Sequence, residues 1–82
     1  MSENEFEVVE VVTEASDDEG NIVVDDLVAL VDSDGTVVAT DETLIIEDAD
    51  GDVLIDEVVS VIDEDGELQA VAEEVTVIVN ED

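Results

Sequence analysis

Four short acidic clusters ending in glycine divide this chain into apolar runs of strand length: "DDEG", "DSDG", "DADG" and "DEDG" finish at Gly20, Gly35, Gly51 and Gly66. Between them stand "NIVVDDLVALV", "TVVATDETLIIE" and "DVLIDEVVSVI", rich in the valine and isoleucine that suit a pleated, half-buried surface. Glycine accepts the positive φ of a tight turn, and aspartate hydrogen-bonds its own backbone two residues on, so each cluster reads as a hairpin turn. The pattern predicts a meander of β-hairpins. "FEVVEVVTEA", residues 6–15, is a further strand that closes the sheet or swaps onto a neighbour. "DDLVALV" and "ELQAVAEEV" also carry apolar residues at helical spacing, but β-branched content and turn spacing favour strands, with one or two helical turns allowed in "LQAVAEE".

A longer period overlies the short one. "GNIVVDDLVALVDSDGTVVA" (20–39) and "GDVLIDEVVSVIDEDGELQA" (51–70) align without gaps and share seven identical positions. The expectation is therefore one all-β domain over residues 1–82, built from two repeats of about 31 residues (about 20–50 and about 51–82) after an N-terminal strand segment, 1–19. A duplicated β unit of this size commonly closes as a small barrel or sandwich, here of about five to seven strands, because closure removes exposed edges.

Composition changes the picture in two ways. Apolar residues make up 45% of the chain, too many for a disordered acidic segment, so it is expected to fold. Against that, 28 acidic residues face no Lys, Arg or His, a formal charge of −28. Compacting like charges costs free energy that no ion pair within this chain offsets, and salt near ~1 M shortens the screening length to about 3 Å. The chain thus reads as a halophilic type, working in concentrated salt. Nucleic acid and anionic membrane are not expected partners, since the chain has no cation to neutralise a phosphate. "MSENEFE" lacks the basic region of a signal peptide and no apolar run approaches ~18 residues, so a soluble chain is expected.

Chemistry is narrowly bounded. Without His, Cys, Lys, Arg, Tyr or Trp, no base or thiolate is present to activate Ser16, Ser33 or Ser60, and soft-metal and most cofactor sites are excluded. The remaining chemistry is weak association of hard cations, Ca2+, Mg2+ or K+, with surface carboxylates. The Asp-x-Asp-Gly stretches suggest calcium loops, but with glycine at loop position six, position one becomes Ala15, Leu30, Ile46 or Val61, none a ligand. Asp48, Asp50 and Asp52 in "DADGD" are the best cation candidates. The adjacent acidic pairs Asp25-Asp26, Asp41-Glu42, Asp56-Glu57 and Glu73-Glu74 lie inside apolar runs, where they are expected to mark bends or bulges and not a catalytic dyad. No enzyme activity is expected, and no catalytic or cofactor-binding residue is assigned.

"VVDDLVALVDSDGTVVAT" resembles a stretch of the small capsid decoration (cement) proteins of tailed viruses, compact β-domains seated on the outside of a capsid shell. The likeness rests on Asp26, Leu27, Val28, Leu30, Asp34, Gly35, Val37, Val38 and Ala39, and "LIDEVVSVIDEDGELQAV" repeats it more faintly. The family's glycine before this stretch is Asp25 here, and its trailing strand is absent. "DGTVVATDETLII" and "DGELQAVAEEVTVIV" also resemble barrel-sandwich carrier domains of the lipoyl type, but the tip "EDADGD" has no lysine to modify, which excludes a carrier role.

The decoration resemblance implies a structural virion protein that stabilises a capsid shell in high salt, made in the host cytoplasm and placed on the virion surface. Its partners would be the major capsid protein, or itself as a homo-oligomer such as a trimer. A core with one aromatic leaves strand faces needing cover, and Phe6, Val8, Val9 and Val11 of the N-terminal strand are the expected docking residues. Two alternatives stand beside this reading. One is an acidic DNA mimic. The other is a designed or reduced-alphabet β protein without cationic residues.

Overall fold

In a computed structural model that describes residues 5–81, the chain is all-β. Five strands, β1 (Glu7–Ser16), β2 (Ile22–Val31), β3 (Val37–Glu47), β4 (Val53–Ile62) and β5 (Leu68–Ile78), pair antiparallel in the order β1-β2-β3-β4-β5. The meander expected from the turn spacing is thus the observed topology. The stretch "LQAVAEE" lies wholly within β5 and forms no helical turn. Of the N-terminal segment, residues 1–4 lie outside the described part, as does residue 82 at the end of the second repeat.

The four turns share one pattern, complete in the loops after β2, β3 and β4 and without the glycine-amide bond in the loop after β1. In the loop after β2, the Asp32 amide donates to the Thr36 carbonyl (2.9 Å) and the Gly35 amide donates back to the Asp32 carbonyl (3.0 Å). Asp32 Oδ1 then accepts from the amides of Asp34 (2.9 Å) and Thr36 (3.0 Å). Asp17, Asp48 and Asp63 accept equivalent pairs of amides in their own turns. The glycine closing each loop has positive φ, between 84° and 93°, the geometry of a bulged hairpin turn.

Two further bonds tie together turns at the same end of the sheet. Asn21 Oδ1 accepts from the Ala49 amide (3.2 Å), and 31 residues later Asp52 Oδ1 accepts from the Asn80 amide (2.8 Å). The Asn80 side chain also donates to the Asp50 carbonyl (2.9 Å), so the segment after β5 is held where a further turn would sit.

Two expectations are corrected. The sheet does not close as a barrel or sandwich: β1 and β5 are open edges, and each strand packs substantially only on its sequence neighbours. With a single layer there is no second sheet to cover either face, and no described residue is fully buried. The acidic pairs, moreover, do not mark bends. Asp25-Asp26, Asp41-Glu42, Asp56-Glu57 and Glu73-Glu74 all lie in regular register, while the register shifts fall at Leu30/Val31 and Val59/Ser60. Neighbouring strand residues point to opposite faces, and a one-layer sheet wets both, so each pair places one carboxylate on each side without distorting the strand.

Candidate docking surface

The register divides the strand residues between two faces. On the face of Asp25, two adjacent rows at mid-height read Thr13–Asp25–Leu44–Asp56–Val75 and Val11–Leu27–Glu42–Val58–Glu73. Acids and apolar residues alternate there as on a checkerboard. Below them runs a row with no polar member: Ala15, Val23, Ile46, Leu54 and Val77. On the opposite face, that of Asp26, the mid-height rows are Val12–Asp26–Thr43–Glu57–Glu74 and Glu10–Val28–Asp41–Val59–Ala72. Each face therefore carries a belt of carboxylates across all or most of the strands, flanked by valine, isoleucine and leucine.

Within the belts, acids sit on diagonal cross-strand neighbours, close enough to interact. Contact with Asp26, as a hydrogen-bond partner first and a like charge second, raises the Glu10 carboxyl above its ordinary value. Asp25 does the same to Glu42, Asp41 to Glu57 and Asp56 to Glu73. Two ionised carboxylates cannot donate to each other, so these contacts become hydrogen bonds only when a proton is shared between the pair. Consistent with that, one oxygen of each of Asp25, Asp26, Asp41 and Asp56 is shielded from solvent and has no hydrogen-bond partner while the pairs are ionised.

The turn carboxylates behave oppositely. The Asn21 side chain and then backbone amides hold the Asp17 carboxyl below its usual range, and the Glu67 amide leads the same effect at Asp63, where Gln69 Nε2 also donates to Oδ2 (3.1 Å). Asp48, Asp50 and Asp52 are brought together as expected, with carboxylate oxygens within 4.8 Å of one another. Asp48 Oδ1 is already occupied by two amides and Asp52 Oδ1 by that of Asn80, which accounts for the clustering by turn geometry alone.

The expected docking residues are solvent-exposed but do not form one patch. Val9 (41% exposed) and Val11 (53%) lie on the Asp25 face, Val8 (66%) lies on the Asp26 face, and Phe6 (55%) precedes the strand. Val8 joins Val28, Leu30, Ala39, Asp41 and Val59 in a shallow dish on its face. The belts were not anticipated as belts. Their signal lies in the sequence nonetheless, because three of the four acidic pairs fall midway between successive turns and the fourth stands at a similar distance after the last, and a meander aligns mid-strand positions across the sheet. No protein-family model, curated protein or solved structure matches the chain.

Proposed function

We propose that this chain is a structural protein that works by lying against another surface, and not an enzyme. The observation that carries the reading is the bare sheet: two faces banded with valine, isoleucine and leucine, with no fully buried residue among those described. Monomers rarely leave such apolar area uncovered unless a partner takes it. The lack of any His, Lys or Cys, and with it of the usual activating base and of a thiolate nucleophile, supports the same reading. Its narrower form follows the sequence resemblance: decoration of a virus capsid shell in concentrated salt, with the exposed β1 edge and Phe6 as the docking element.

The test is co-sedimentation with shells assembled from a tailed-virus major capsid protein, in ~2 M salt where exposed charges are screened. Phe6→Ser with Val8→Thr and Val11→Thr keeps strand propensity and should weaken binding about tenfold or more. If the intact chain binds no shell, the decoration reading fails. The belts favour one second reading, since carboxylates in rows across the strands offer a basic groove a line of charge, as a DNA mimic does. Displacement of DNA from a basic DNA-binding protein at low salt would support that reading instead.

A further inference from the structure

We propose that the Asp25 face is an interface with a second copy of this chain, the two sheets stacking face to face into a two-layer sandwich when the belt charges are neutralised. This does not depend on what the chain decorates.

Three observations select the face and the occupant. The Asp25 face is the less acidic: its strand carboxylates are Glu7, Asp25, Glu42, Asp56 and Glu73, against Glu10, Glu14, Asp26, Asp41, Glu47, Glu57 and Glu74 on the other side. It also holds the one row with no polar member, Ala15 to Val77. A twofold axis parallel to the strands preserves height, so it lays this row on its own copy, where the valine, isoleucine and leucine interdigitate. Finally, five strands ~4.8 Å apart and ten residues long present roughly 800 Å2, about what one partner contributes to an interface of standard size. The more acidic face is left outside, which ends growth at two layers.

The same axis lays belt on belt, and this sets the condition for association. Asp25, Glu42, Asp56 and Glu73 of one copy meet their equivalents in the other, with Glu7 near the margin and no cation on either chain. Ionised, they oppose stacking. Protonated or screened, they permit it, and contact with Asp25 and Asp56 raises the Glu42 and Glu73 carboxyls in the direction that favours protonation. Association should therefore strengthen as salt rises and as pH falls through the carboxylate range.

Sedimentation equilibrium on the full chain tests this, with circular dichroism confirming that each variant keeps its sheet. At ~1 M salt and neutral pH, where long-range repulsion is screened, Asp25→Asn with Asp56→Asn should tighten self-association about tenfold. Asp26→Asn with Asp41→Asn removes the same charge from the other face and should change it less than about threefold. A gentler probe needs no belt change. In single-cysteine chains, Thr40→Cys on the Asp25 face should become protected from a bulky maleimide as protein concentration rises, while Thr43→Cys on the opposite face should stay reactive. Protection of Thr43→Cys alone, equal tightening by both Asn pairs, or a chain that stays monomeric at ~2 M salt and about pH 5 would overturn the proposal.

Discussion

Asp17 and Asp63 show what a single carboxylate can do in this chain, since each is worth more ionised than protonated. Their folded pKa values lie below the ordinary 3.8, so their contribution is present above that value and is lost as pH falls through the lowered one. Glu10, Glu42, Glu57 and Glu73 have the opposite sign: with folded values above 4.5, their contribution is full below 4.5 and is lost as pH rises through the raised values. Thermal unfolding followed by circular dichroism should therefore place maximum stability between 3.8 and 4.5. A maximum at neutral pH would mean that the belt pairs do not interact. Glycine gives a second prediction at this scale. Gly35→Ala meets no neighbour and should cost about 1–2 kcal/mol through its positive φ alone. Gly51→Ala carries the same strain and also puts a methyl 2.8 Å from Asn80 Nδ2, displacing the bond to the Asp50 carbonyl, so it should cost about 1 kcal/mol more in chemical denaturation.

The strands carry the opposing forces of the fold side by side. In β4, Asp56 lies diagonal to Glu73 across the β4–β5 pairing, and like charges at neighbouring cross-strand positions destabilise a sheet. Asp56→Asn should raise stability by about 0.2–1 kcal/mol at neutral pH, a gain that fades in acid as the pair takes up its proton. Denaturant titrations at the two pH values would check both parts. The strands themselves were legible because the turns were: an Asp three residues before each glycine fixes where every hairpin folds, and β-branched residues fill what lies between. Closure was not legible. A repeat of Val-rich hairpins satisfies its local hydrogen bonds equally well in a barrel wall or an open sheet, and only the register at β1 and β5 distinguishes them. The belts were misread for a related reason. A charge pair inside a strand implies a bend only where one face is dry, and the sequence does not state that both faces are wet.

For the molecule as a whole, a charge of −28 and the lack of any fully buried residue among those described point to solvent as a partner in folding. The β signal in circular dichroism should be strong near ~2 M KCl and decline below ~0.1 M, since screening removes most repulsion between exposed charges. A flat profile would instead require bound cations or a covering partner. The meander has a mechanical meaning too. Because strands pack substantially only on their neighbours in sequence, each hairpin can form on the one before it, and loss of an outer strand leaves the next ladder intact. Pulled by its two ends, such a chain should not rupture in one event. It should unzip in steps of one strand, and the bonds from Asn21 to Ala49 and from Asn80 to Asp52 and Asp50, which reach past a neighbouring hairpin turn, should act as the clutches that set where the unzipping pauses.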